Sequence, residues 1–131
     1  MRIVWLYASL LTLLFVGLSF RTLILRRRLR IVIGDAGDER MLRAMRVHSN
    51  FAEYVPLNLL LMYFVASTSP QPWLLHALGI CILLGRVLHA IGVSQVSERY
   101  AFRVAGMVLT FTPMLASALS LLAAYGRQAG A

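Results

Sequence analysis

Lysine is absent from this chain of 131 residues, so all 13 of its basic residues are arginines. Acidic residues are also scarce, and five acids against 13 arginines give a formal net charge of +8. Only 14% of the residues are charged and 60% are hydrophobic, whereas soluble domains have roughly 25% charged and 45–50% apolar residues. This length and this shortage of charge predict a single domain that lies within a membrane.

Cysteine is nearly absent as well, because the chain contains only Cys81, which lies in an apolar run. An intrachain disulfide is therefore excluded. No set of His, Cys and Glu has the spacing of a metal site, and no glycine-rich phosphate loop is present. The arginines cluster between apolar runs and do not cover a soluble face, which argues against nucleic-acid binding.

Long apolar runs occupy most of the remaining sequence. They lack the strict alternation of membrane strands, and an open strand cannot cross lipid, so all four are predicted to be helices. The predicted fold is an all-α, integral membrane four-helix bundle. Its helices are expected at about residues 2–28, 38–67, 72–94 and 98–126 of a single domain, 1–131.

Local signals mark the ends of these helices. Asp38 is a candidate N-cap for the second helix, and the segment Ser67–Pro72 has two prolines and three hydroxyl residues, which predicts a turn. A signal peptide is the competing interpretation of the first 20 residues. The apolar region is long for that, and arginines follow it in place of a small-x-small cleavage pattern, which favours an uncleaved helix.

The arginines also predict the orientation. The segments after the first and third predicted helices contain nearly all of them, while the opposite side has Arg2, Arg127 and an uncharged turn. The positive-inside rule then places the arginine-rich ends in the cytoplasm and both termini outside, in what we expect to be a bacterial inner membrane.

Three groups of polar residues interrupt the apolar runs near this end. On the second helix, Arg43, Arg46, Asn50 and Glu53 fall at spacings of three, four and three, within a sector of about 80°. The other two groups consist of Arg86 with His89 on the third helix and Arg99 with Arg103 at the start of the fourth. Ionisable groups inside a membrane normally face the bundle interior or a watery cavity, which predicts a binding site here.

The chemistry of this site suggests its ligand. Arginines bind carboxylates bidentately, and Glu53 would accept an ammonium group. An additional arginine beside a thiol would favour the thiolate form. A γ-glutamyl tripeptide thiol carries this set of groups, although snorkelling arginines with a structural Arg–Glu pair would have the same composition.

The segment from Glu39 to Leu57 resembles the signature of the MAPEG family, the membrane-associated proteins of eicosanoid and glutathione metabolism. Arg46, Asn50, Glu53 and Pro56 match the family pattern. The segment Gly85-Arg86-Val87-Leu88-His89 and Pro113 resemble the prostaglandin synthase branch.

This resemblance implies a homotrimer that binds glutathione as co-substrate between subunits. By resemblance, a fourth-helix arginine stabilises the thiolate; Arg103 matches best, and Arg99 is the competing candidate. The tripeptide-binding candidates are Arg43, Arg46, Asn50, Glu53, Arg86, His89 and Arg99. One departure is Val93, which stands where family members often carry a tyrosine.

Three functional classes are compared. The main hypothesis is a glutathione transferase or peroxidase that acts on lipophilic small molecules supplied from the membrane. The alternative is a non-catalytic membrane protein that binds glutathione or an anionic lipid headgroup. A small multidrug exporter would need a carboxylate deep in the first helix, and the segment Met1–Phe20 contains none.

Overall fold

The computed structural model describes residues 1–68, 70–97 and 99–129. These residues form four α-helices and no strand, which confirms the predicted all-α bundle. The predicted turn at Ser67–Pro72 includes Ser69, and the predicted start of the last helix is Glu98; both of these residues lie outside the described ranges. The helices are α1 (Arg2–Leu29), α2 (Glu39–Ser67), α3 (Pro72–Ser94) and α4 (Tyr100–Ala129).

The connection between α1 and α2 has well-defined caps. The helix α1 ends at Leu29, and its C-cap Arg30 adopts a left-handed conformation with φ of 55°. The Ile31 amide donates to the Arg26 carbonyl at 3.1 Å. This arrangement satisfies carbonyl groups that a helix end would otherwise leave unpaired. The Asp38 carboxylate accepts from the Arg40 and Met41 amides at 2.9 and 3.1 Å, so the predicted N-cap of α2 is confirmed.

The helix α2 is central, because it contacts all three of the other helices. Its buried side chains recur every three or four residues along the whole helix, as one face of an α-helix requires. They are Met41, Ala44, Val47, Phe51, Val55, Asn58, Met62 and Val65. None of these residues is charged, so the charged residues of α2 lie on a different face from its core residues.

The helices α3 and α4 approach each other closely at glycines. A Cβ atom added to Gly106 would lie 2.6 Å from the His89 nitrogen and 2.7 Å from the Gly85 carbonyl oxygen. One added to Gly92 would lie 2.6 Å from the Arg103 nitrogen. Small residues allow this backbone contact, which is typical of membrane helix pairs.

Three helices in the described part of the chain, α1, α3 and α4, are long and apolar enough to cross a membrane. Large apolar side chains such as Leu13 and Leu119 lie exposed on the outer surface of the bundle. The helix α2 is long enough, at 29 residues, but its N-terminal half carries charges. Most of these charged residues line the candidate site.

Candidate functional site

An open cavity lies beside the charged half of α2, where this helix meets α3 and α4. Its volume is about 460 Å³, within the range of roughly 300–1,000 Å³ that small-ligand sites occupy. Its lining residues come from α2, α3 and α4. These are the three helices that the sequence predicted to carry polar groups at the same depth. The lining residues are Glu39, Leu42, Arg43, Arg46, Ser49, Asn50, Glu53, His89, Val93 and Arg103.

Six of the eight residues that the sequence singled out line this cavity. Four come from α2, namely Arg43, Arg46, Asn50 and Glu53, and the other two are His89 on α3 and Arg103 on α4. The α2 residues share one face because their spacing follows the helical period. His89 and Arg103 join them because α3 and α4 pack so closely at Gly106.

Arg86 is not part of the lining, because it is buried behind it. Its side chain is only 2% exposed. Nη1 donates to Asn50 Oδ1 at 2.7 Å and Nη2 donates to the Thr110 hydroxyl, while its Cζ lies 5.7 Å from the centre of the Tyr54 ring. Arg86 therefore reaches the cavity only through the amide of Asn50.

The surroundings of Arg86 are neutral within the described part of the chain. Its side chain contacts an amide, a hydroxyl, a thioether, an aromatic ring and backbone carbonyls, and its Nε has no hydrogen-bond partner among the described residues. A buried cation without a carboxylate is costly, and such groups in membrane proteins commonly mark functional positions. The positive charge under Asn50 adds to the anion-attracting character of the cavity.

Arg99 also lies outside the cavity. It precedes the first residue of α4, Tyr100, and its backbone amide donates to the Gly92 carbonyl at 3.2 Å. Its Cζ lies 5.7 Å from the centre of the Phe102 ring. Of the two arginines that sequence left as candidates, Arg103 is the one beside the other polar groups.

The cavity contains both signs of charge, with three arginines and two glutamates in its lining. At its outer end Arg43 is paired with Glu39, at 2.9 Å between Nη2 and Oε1, and its Nη1 donates to the Val93 carbonyl at 3.4 Å. Further in, the Glu53 carboxylate makes no hydrogen bond with the described residues. Glu53 is exposed on the single chain. Glu53 thus offers an acceptor to a ligand or to a second subunit.

Sequence reasoning missed some members of this site. Ser49 lines the cavity three residues after Arg46, and the helical period would have placed it beside the polar stripe. Thr110, a partner of Arg86, lies seven residues after Arg103, on the same side of α4.

No group of three or more His, Cys, Asp or Glu residues that could bind a metal occurs within the described ranges.

Comparisons with known proteins identify the family. The sequence model of the MAPEG family matches residues 4–123. The chain is 34% identical over 115 residues to the inner membrane protein YecN of Escherichia coli K12, covering 88% of this chain and 86% of that protein. The same values hold for YecN of Escherichia coli O6:H1, and no solved structure gives a significant match. The chain is an integral membrane protein that belongs to the MAPEG family.

Proposed function

We propose that this protein binds glutathione in the cavity beside α2 and acts as a glutathione transferase or peroxidase on lipophilic substrates. The observation that carries the proposal is the convergence of Arg43, Arg46, Arg103, Asn50 and Glu53 on one cavity of about 460 Å³. The MAPEG family is associated with glutathione chemistry, and this donor set suits that ligand.

The polar groups of glutathione match the lining one by one. The tripeptide has two carboxylates, one ammonium group and one thiol. Arginines are suited to the carboxylates because the guanidinium fork binds them bidentately. Glu53 is suited to the ammonium, and Asn50, whose side-chain oxygen is engaged by Arg86, retains its NH₂ group as a donor to a peptide carbonyl or a carboxylate.

Arg103 is our candidate for the catalytic residue. A guanidinium beside a thiol favours the thiolate and so lowers the pKa of that thiol. Bound glutathione supplies a thiolate that forms a sulfur–carbon bond with an electrophile, while loss of a leaving group or uptake of a proton from water balances the charge. Arg103 would hold this thiolate in position, the arginines of α2 would hold the carboxylates, and the bilayer would deliver the electrophile from the side.

A homotrimer is part of the proposal. Arg46 and Glu53 are exposed on the single chain although they lie on a helix that contacts all three others. Ionisable groups at membrane depth need partners, and a second copy of the chain would cover them. Cyclic symmetry would repeat the same contact at each interface, so three cavities would be closed at once.

All four helices are proposed to cross a bacterial inner membrane. Buried residues of α2 extend from Met41 to Val65, so this helix lies beside its neighbours along its full length and shares their depth. The segments between α1 and α2 and between α3 and α4 then lie in the cytoplasm, with both termini outside. The inner-membrane location of YecN supports the choice of membrane.

One observation favours a second candidate function, which is glutathione binding without catalysis. Val93 lines the cavity at the position where the family often has a tyrosine, so no hydroxyl group is available there to assist the thiol. The binding groups of the cavity are the same in both functions. A measurement of enzymatic turnover therefore distinguishes the catalytic function from the binding function.

Glutathione titration of the purified protein tests the proposal. We expect binding, an ultraviolet thiolate band near neutral pH, and conjugation of glutathione to a chlorodinitrobenzene. Arg103→Ala is expected to keep glutathione bound while abolishing the band, and the matched variant Arg99→Ala is expected to keep both. Absence of binding would refute the proposal. Binding without the band in the wild type would leave the non-catalytic function.

A further inference from the structure

A second arginine-lined groove lies elsewhere on the molecule, between α1 and the C-terminal end of α3. Its volume is about 590 Å³, and none of the described residues that line it also lines the proposed glutathione cavity. Three arginines, Arg21, Arg28 and Arg40, face it together with Ser94. Among the described residues, no acidic side chain belongs to the lining, so positive charge predominates in the groove.

Arg21 is held in place at the inner end of the groove. Its Nη1 donates to Ser94 Oγ at 2.7 Å and its Nη2 to the Ser94 carbonyl at 3.5 Å. Ser94 is the last residue of α3, where the helix dipole favours a cation. These contacts use only part of the five N–H donors of a guanidinium, so a fixed Arg21 can also bind an anion.

The other two arginines lie farther out. The guanidinium of Arg28 makes no hydrogen bond with the described residues, and Arg40 is paired with Asp38 at 2.7 Å. Seven residues of helix separate Arg21 from Arg28, a rise of about 10 Å. Since the uncharged run of α1 ends at Phe20, this interval corresponds to the headgroup layer of the bilayer.

Apolar residues continue the groove toward the membrane. Phe20, which precedes Arg21 on the α1 side of the groove, is 59% exposed. An adjoining cavity of about 360 Å³ shares Arg21 and Ser94 and adds Leu18 and Ile91. Cationic groups at headgroup depth with an apolar surface below them complement an amphiphile that has an anionic head and an acyl chain.

We propose that the groove between α1 and α3 is a binding site for an anionic phospholipid. The phosphate would contact Arg21 and Arg28, Arg40 would lie at the outer edge, and an acyl chain would lie along Leu18 and Ile91. The excess of positive charge favours an anionic over a zwitterionic headgroup. This site is independent of glutathione binding.

Native mass spectrometry of the detergent-solubilised protein tests the site with phosphatidylglycerol and phosphatidylcholine of the same chain length. We expect preferential retention of phosphatidylglycerol. Each arginine near an anionic lipid headgroup strengthens binding about fivefold. Arg28→Gln should therefore lower the affinity for phosphatidylglycerol about fivefold. The double variant Arg21→Gln, Arg28→Gln should lower it about 30-fold. Excess inorganic phosphate should not displace the lipid.

The matched control replaces Arg2, at the start of α1, and Arg127, near the end of α4, by glutamine. Both lie at the end of the bundle away from the groove, so this variant should retain the lipid preference. Arg28→Gln breaks no hydrogen bond within the described chain, so we expect this variant to fold as the wild type does. Equal retention of both lipids, an unchanged preference in Arg28→Gln, or an equal loss in the control would overturn the proposal. Glutathione titration of the same variants should be unchanged, which separates this test from that of the proposed function.

Discussion

The guanidinium of Arg86 donates from Nη1 to Oδ1 of Asn50 over 2.7 Å, linking α3 to α2 beneath the cavity. Because Arg86 is 2% exposed, this bond is one of the few interactions that stabilise a buried charge. It also fixes which end of the Asn50 amide faces the cavity, since the oxygen is turned inward. Arg86 is therefore a positioning residue in our proposal, and Asn50 is the group that contacts the ligand.

Asn50→Ala should destabilise the protein even without glutathione. The substitution removes one of the two side-chain oxygens that accept from the buried guanidinium, and a hydrogen bond to a charged group contributes about 1.5–3 kcal/mol. Equilibrium unfolding in mixed micelles measures this loss. The control is Arg46→Ala, a substitution of a residue on the same helix that is exposed on the single chain. At low protein concentration, where the subunits are separate, it should change the free energy of unfolding by no more than about 0.5 kcal/mol. Equal effects of the two substitutions would contradict the role of Asn50 as the partner of Arg86.

Gly106→Ala should also destabilise the bundle. The added Cβ would lie 2.6 Å from the His89 nitrogen, which is a backbone atom that cannot move aside alone, and overpacking of this kind costs about 1–3 kcal/mol. Gly17→Ala is the matched control, since nothing lies within 4 Å of its added Cβ. It should be neutral or stabilising by up to about 1 kcal/mol through helix propensity. The same unfolding experiment compares them, and a tolerated Gly106→Ala would argue against close packing of α3 on α4.

The sequence was sufficient to predict the four helices and the polar stripe of α2, because both follow from periodicity within one helix. It was not sufficient for Arg86. Its position behind Asn50 depends on how closely α3 approaches α4 at Gly106, which is a relation between helices. The choice between Arg99 and Arg103 was open for a similar reason. Four residues apart on a continuous helix they would share a face, but α4 begins at Tyr100, so Arg99 precedes it and lies outside the cavity.

Asp38 should make the free energy of unfolding decrease at low pH. The side-chain hydrogen bond from Arg40 lowers the pKa of Asp38 from 3.8 to about 2, with further help from the amide groups of α2. A carboxyl whose pKa is lower in the folded state stabilises the fold above its unfolded pKa, and this contribution is lost as pH falls from about 4 toward 2. Unfolding measured across this range should show the loss.

Asp38→Asn is the variant that tests this assignment. Asparagine keeps the N-cap hydrogen bonds but has no carboxyl group, so the variant should lose stability less steeply than wild type between about pH 4 and 2. Asp35→Asn makes the same charge change in the same loop and should retain the wild-type steepness. If both variants behave as wild type, another group causes the acid sensitivity.

Glu53→Gln separates a binding role from a structural one. If Glu53 accepts the ammonium of glutathione, the substitution removes one charge-assisted hydrogen bond of about 1.5–3 kcal/mol, so affinity should fall roughly 10- to 150-fold. The carboxylate is exposed on the single chain and has no hydrogen-bond partner among the described residues, so the fold of the subunit should not need it. Unfolding of the glutathione-free protein at low protein concentration should therefore change little.

The control for Glu53→Gln is Asp35→Asn, which removes one negative charge outside the cavity and should leave glutathione affinity unchanged. A structural role for Glu53 makes the opposite prediction. If Glu53 pairs with an arginine of a neighbouring subunit, neutralising it would leave that arginine without its partner, and the oligomer would dissociate more readily with or without glutathione. Glutathione titration and the detergent-corrected mass, measured on the same preparation, distinguish the two roles. An unchanged affinity together with a smaller assembly would assign Glu53 to the subunit interface and remove it from the glutathione site.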